Sequence, residues 1–126
     1  MISAKDLMIG NWVKNDLGEI QQVVEIHDDK KIMLAYNDFY SADELEPIPL
    51  TPEILEKNFQ EFLPGINLMY KLKGPYCAMN EDGQWVFGLV RVDGENSTRY
   101  PLVKISFVHQ LQNALQLCGI EHEITL

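Results

Sequence analysis

The 126-residue chain is 46% hydrophobic, and its 10 basic and 19 acidic residues leave a formal charge of −9. A domain of this length buries roughly two thirds of the surface its unfolded chain exposes, so one compact domain over residues 1–126 is expected, with possible sub-lobes at 1–50 and 51–126. The charge repels polyphosphate and disfavours direct nucleic-acid binding, while its concentration in residues 1–50 (4 basic, 10 acidic) makes that half the expected docking place for a cation or a basic protein partner.

Taken in order, Met1-Ile2-Ser3-Ala4-Lys5-Asp6 leads into an apolar run too short for a signal-peptide core or a membrane span, which predicts a cytoplasmic protein. Residues 6–13 open a series of short strands, with turns at Asn15-Asp16-Leu17-Gly18 and His27-Asp28-Asp29. Over 19–27 the pattern alternates. Ile20, Val24 and Ile26 fall on one side with Gln22, and Glu19, Gln21, Glu25 and His27 fall on the other with Val23, which predicts that the even residues face the core. Residues 30–36 follow as a partner strand with Ile32, Leu34 and Tyr36 on one face, and Phe39-Tyr40 adds a short fourth strand after Asn37-Asp38. Such a run of short antiparallel strands points to an SH3-like small β-barrel or a curled meander.

Glu46-Pro47-Ile48-Pro49-Leu50 is an extended connector, because prolines one residue apart fit neither a helix interior nor a central strand. Thr51 then has the side chain of an N-cap, Pro52 suits the first helical position, and Glu53 puts negative charge at the positive end of the dipole. A helix over 52–58 is predicted, with Ile54, Leu55, Phe59 and Phe62 as its buried side and Pro64-Gly65 as its stop. Strands at 68–73, 76–79 and 84–92 follow, turned by Gly74-Pro75 and by Asn80-Glu81-Asp82-Gly83. The run 85–92 is apolar on both faces, as a covered central strand is, and Gly88 within it marks a bulge or a close approach across the backbone. Asp93-Gly94-Glu95-Asn96 turns the chain into a last strand at 102–105.

The stretch 104–119 is the longest helical pattern. Val108, Leu111, Leu115 and Cys118 recur on one side, His109, Gln112, Asn113 and Gln116 on the other, with Ser106 as the expected cap and Gly119 as the stop. Past it, Ile120, His122, Ile124 and Leu126 alternate with polar residues, which predicts an edge strand with the His122 ring packed at the sheet edge. The expected class is α+β: the N-terminal barrel or meander, a short helix, an antiparallel β-meander, and a C-terminal amphipathic helix packed on the sheet.

Three stretches carry a resemblance: Leu7-Met-Ile-Gly-Asn-Trp-Val13, Glu44-Leu-Glu-Pro-Ile-Pro-Leu-Thr-Pro-Glu-Ile-Leu-Glu-Lys-Asn58, and Val108-His-Gln-Leu-Gln-Asn113. In this order they resemble a family of small proteins of Bacteroides-type gut bacteria and their phages and mobile elements, which has no activity to carry over. Members often read KNGF where this chain has Lys57-Asn58-Phe59, without the glycine, so the end of the first helix differs here. The resemblance implies a bacterial or phage intracellular protein.

No catalytic, cofactor-binding or metal-ligating set is legible. There is no GxSxG, GxxxxGK[ST], GxGxxG or HExxH. Cys77 and Cys118 lack CxxC spacing and read as small buried side chains in a reducing compartment. Cys77 with His109 is the one nucleophile–base pair that can be proposed, and nothing in the sequence brings them together. The acidic pairs Asp28-Asp29, Asp43-Glu44 and Glu81-Asp82 all fall in turn-like contexts, where charge is readily solvated. His109, Gln112, Asn113 and Gln116 form a polar stripe that offers hydrogen bonds to a partner, the competing reading being a solvated helix face. The leading expectation is therefore a non-enzymatic protein-interaction or accessory module. The alternative is a small-ligand-binding or enzymatic domain with a cleft between the halves. A third reading, an SH3-like nucleic-acid binder, rests on Lys71, Lys73, Arg91, Arg99 and Lys104.

Overall fold

In the computed structural model, which describes residues 2–36, 38–63, 69–94 and 96–126, the chain is α+β with two antiparallel sheets and two α-helices. The expectations placed on Asn37, Pro64-Gly65, Leu68 and Glu95, and on the side chain of Phe62, lie outside the described residues. The fold divides into two units, Met1–Pro49 with Phe107–Leu117, and Leu50–Ser106 with Cys118–Leu126. The long helix thus belongs to the first unit and the tail beyond it to the second.

In the first unit a 3-10 turn over Ala4–Asp6 precedes β1 (Trp12–Lys14), β2 (Ile20–Asp28), β3 (Lys31–Leu34) and β4 (Phe39–Tyr40). Residues 6–11 are thus turn and loop rather than the start of a strand. The strands pair in the order β1-β2-β3-β4, an open meander rather than a closed barrel. Asn15, buried, builds the first hairpin turn. Its Oδ1 accepts from the N–H groups of Leu17 (3.0 Å) and Glu19 (2.8 Å), and its amide donates to Glu19 and Tyr40 side chains, so every face of a costly buried amide is used.

The predicted faces of β2 are inverted up to the bulge at Val24 and hold at Ile26. Val23 pairs with Leu34 and Glu25 with Met33, so Val24 is an extra residue in β2, a β-bulge. Before it the odd residues Gln21 and Val23 are buried and Ile20 is exposed; after it Ile26 turns inward, opposite Ile32. A one-residue slip moves every side chain to the other face, which no alternation count sees in advance. Ile32 and Leu34 are buried as expected, whereas Tyr36 lies in the following turn and is exposed. Ile2, Leu7, Val13, Ala42 and Leu45 complete this core.

The helix α2 (Val108–Leu117) packs in the same unit, burying Val108, Leu111, Ala114 and Leu115. Ten residues are marginal as an isolated helix, so its stability is tertiary. It starts one residue later than a Ser106 cap requires: the Phe107 N–H donates to Gln110 Oε1 at 3.1 Å, and the Ser106 hydroxyl meets the Gln84 side chain. The proline-rich connector runs beside this start, with Pro49 bridged to Phe107 and the Val108 N–H donating to Ile48 O at 2.8 Å.

In the second unit Thr51 caps α1 (Pro52–Asn58), its Oγ1 accepting from the Ile54 N–H at 3.3 Å, with Pro52 in the first turn. Leu55 is buried; Ile54 and Phe59 are half-buried. Five strands follow: β5 (Gln60–Leu63), β6 (Met69–Lys71), β7 (Tyr76–Glu81), β8 (Gln84–Asp93) and β9 (Asn96–Lys104), antiparallel in that order. Neither β5 nor the first half of β9 shows in the local pattern. β8 has neighbours on both sides, and Gly88 serves both predicted purposes. The register shifts beside it, where β9 carries the extra residue Leu102, and a Cβ at Gly88 would stand 2.5 Å from Tyr100 O and 2.7 Å from Met79 Cε.

Residues 120–126 form no strand. The tail is held instead by the end of α1. Asn58 Nδ2 donates to Thr125 O at 2.8 Å, its Oδ1 accepts from the Thr125 N–H at 2.7 Å, and Lys57 Nζ donates to Leu126 O at 2.8 Å. An amide that pairs with both the N–H and the C=O of one residue replaces a sheet partner, and the neighbouring Ile124 is buried. His122, exposed, stacks on Phe59 with ring centroids 4.5 Å apart rather than packing at a sheet edge. Among the described residues no helix is long and apolar enough to cross a membrane.

Candidate functional site

The polar stripe of α2, His109, Gln112, Asn113 and Gln116, is divided by the fold. Asn113 Oδ1 accepts from Asn11 Nδ2 at 2.8 Å, and Asn113 Nδ2 donates to Asp6 O at 2.7 Å. Gln112 Oε1 accepts from the Trp12 N–H at 2.9 Å, and its Nε2 donates to Gly10 O at 3.1 Å. These two residues clasp the helix to the loop between the first 3-10 turn and β1. His109 is buried, and Gln116 alone of the four is well exposed.

The loop is shaped to be clasped. Met8-Ile9-Gly10-Asn11 is a tight turn closed by an Asn11 N–H to Met8 O bond of 3.1 Å, and Gly10 takes φ +94°, a conformation L side chains rarely adopt. Asn11, buried, accepts from the Met8 N–H at 2.8 Å while its Nδ2 reaches Asn113. The three stretches that carry the family resemblance therefore meet: the opening loop, the connector through Pro49, and the helix of the HQLQN motif. Within this unit they hold one another in place.

His109 has no hydrogen-bond partner for Nδ1, and its ring lies 6.0 Å from Phe107 in a stacked arrangement. Burial pushes its pKa below the usual histidine value, and the nearby Asp6 carboxylate partly opposes that. Cys77 is buried with its thiol 3.6 Å from Gly88 O, and burial raises its pKa to about 11 against a smaller opposing effect of Arg99. A thiol held protonated at neutral pH is a poor nucleophile, so Cys77 is not an activated partner for a base.

Among the described residues no group of three His, Cys, Asp or Glu side chains has the proximity to hold a metal. The acidic pairs serve local structure. Asp28 Oδ1 accepts from the Lys30 N–H (2.8 Å) and Asp29 Oδ1 from the Ala4 N–H (3.0 Å), although His27 and Asp28 themselves are strand residues. Glu44 accepts from the Ser41 N–H at 2.9 Å in a capping box, and Asp82 occupies a left-handed turn position at φ 52°. The five cations do not gather on one face. Register puts Lys71, Arg99 and Lys104 in the rows of Cys77, Val90 and Val86, while Arg91, opposite Thr98, lies on the other face with its Nε 3.3 Å from Asp93.

What the first unit does expose is the outer side of its meander, a surface the alternation pattern missed because of the bulge. One cross-strand row runs Glu25, Met33, Phe39. Phe39 is 47% exposed, with Lys31 Nζ 5.0 Å from its ring centroid and the His27 ring 6.1 Å away; His27 Nε2 in turn lies 3.1 Å from Glu25 Oε2. Ile20, Val24 and Tyr36 of the same meander are exposed as well. Comparison of the chain with protein-family models, curated proteins and solved structures returns no match.

Proposed function

We infer that the chain is a non-enzymatic protein-interaction or accessory module of a bacterial or phage and mobile-element system, and that it docks a basic protein partner on the outer side of the first meander. The half-exposed Phe39 is the observation that carries this reading. A large aromatic ring left half in water, steadied by a lysine over one face, has the character of an interface anchor, and aromatic residues are enriched among such anchors. The acidic excess of this part of the chain supplies complementarity to a basic surface. The helix stripe is the weaker candidate, since Gln112 and Asn113 are already engaged within the unit.

In its curled, open form the meander is read as SH3-like, and two free cysteines accord with a reducing cytoplasm. Nucleic-acid binding stays the disfavoured reading, supported by the charge of −9 and by the division of the cations between two faces. Affinity capture from the native host with wild-type protein and with Phe39→Ser tests the proposal. Phe39→Ser is expected to lose a basic partner that wild type retains, at an unchanged urea midpoint. The same proteins retained by both forms would refute it.

A further inference from the structure

The sheet of the second unit ends in β9, which pairs with β8 on one side and, among the described residues, with no strand on the other. Residues 98–104 are all exposed, and among them Tyr100 (46%), Leu102 (56%) and Val103 (51%) are large apolar side chains left in water. The backbone of this edge has a readable direction. The Val90 N–H donates to Pro75 O at 2.8 Å, on the β7 side of β8, so Val90 and its partner Arg99 are a pair not bonded to each other. In such a pair both residues turn N–H and C=O away from one another, which aims those of Arg99 out of the sheet. Alternation gives Ser97 and Pro101 the same outward direction, and Pro101, lacking an N–H, presents its C=O alone. Pro101 and the extra residue Leu102 then interrupt the ladder, so the open edge is a short stretch ending there.

The side chains decide what fits it. Tyr100 stands in the row of Leu89 and Tyr76, while Arg99 and Lys104 stand on the other face, in the rows of Val90 and Val86. Neither cation makes an ion pair or hydrogen bond among the described residues, and 98–104 contains no carboxylate in a chain whose overall charge is −9. A second copy of the same edge is a poor occupant. The two-fold register that uses all the outward groups from Ser97 to Pro101 sets Arg99 directly opposite its own counterpart, and like charges directly opposite are destabilising. A strand with carboxylates on one face and apolar side chains on the other matches both rows.

We propose that the β9 edge takes an extended segment of a partner protein, alternating acidic and apolar residues, as an added strand, with a carboxylate opposite Arg99 and an apolar side chain opposite Tyr100. The site lies in the second unit, and its occupant is opposite in charge to the partner proposed for the first meander.

The test is an NMR titration of the full chain with a capped peptide alternating glutamate and valine, against a lysine–valine peptide of the same length. Saturable shifts are expected at the amides of Ser97 and Arg99, with slowed hydrogen exchange at the outward Arg99 N–H. N-methylation of the peptide at its glutamates, whose N–H groups would bond to β9, should abolish binding, and N-methylation at its valines should spare it. The double variant Arg99→Glu with Lys104→Glu should weaken the glutamate–valine peptide at least about tenfold and make the lysine–valine peptide the better ligand. No saturable shifts at millimolar peptide, equal binding of the two peptides, or equal binding of the two N-methylated forms would overturn the proposal. So would a concentration-dependent dimer of the peptide-free chain that Arg99→Glu disrupts, which would assign the edge to a second copy.

Discussion

The clasp between α2 and the opening loop makes a sharp prediction about two polar residues three positions apart on the same helix. Asn113→Ala removes two hydrogen bonds, to Asn11 Nδ2 at 2.8 Å and to Asp6 O at 2.7 Å. Each is worth roughly 1 kcal/mol net, and the Asn11 amide, which is buried, is left with an unmatched donor that adds a desolvation cost. The expected loss is about 2–3 kcal/mol. Gln116→Ala, on the exposed part of the stripe, should stay within about 0.5 kcal/mol. Urea unfolding followed by tryptophan fluorescence can be confined to the right unit, because the two tryptophans are Trp12 in β1 and Trp85 in β8. In a Trp85→Phe background the signal comes from Trp12, whose own N–H bonds to Gln112. A double-mutant cycle with Asn11→Ala should return a coupling of at least about 0.5 kcal/mol. Equal midpoints for Asn113→Ala and Gln116→Ala would refute the claim that the motif residues act as structural partners.

Three further outcomes follow from the same geometry. Thr51→Ala should cost about 1 kcal/mol in a urea titration, since the Ile54 N–H loses its cap. Gly88→Ala should cost about 1–3 kcal/mol or more, measured as a drop in melting temperature, because the new methyl group meets a backbone carbonyl that cannot swing aside. His109 makes stability depend on pH: with its folded pKa depressed by burial, the unfolded chain binds the proton first, so its contribution is present above the ordinary value near 6.5 and is lost as pH falls below it. The loss is at most about 1.4 kcal/mol per pH unit, read from urea midpoints at successive pH values, and His109→Phe should flatten the curve; an equally steep curve in that variant would assign the acid sensitivity elsewhere.

The sequence by itself determined what a few neighbouring residues can decide. Thr51-Pro52 starts α1 and the prolines before it hold the connector extended, because a cap and a fixed φ act within one turn of chain. Gly88 declared a close contact because only a missing Cβ fits there. The apolar side of α2 was likewise legible in Val108, Leu111 and Leu115. Tertiary structure decided the rest. The bulge at Val24 chose which side of β2 is buried, and the pairing with β8 extended β9 well beyond its apolar end. Asn58 gave the tail a side-chain amide in place of a neighbouring strand. The polar residues of α2 read as solvent-facing because polarity along a helix looks the same whether it meets water or another chain segment. What separates the two cases is Asn11, 102 residues from Asn113, and a hydrogen bond across that distance exists only once the fold has brought its ends together.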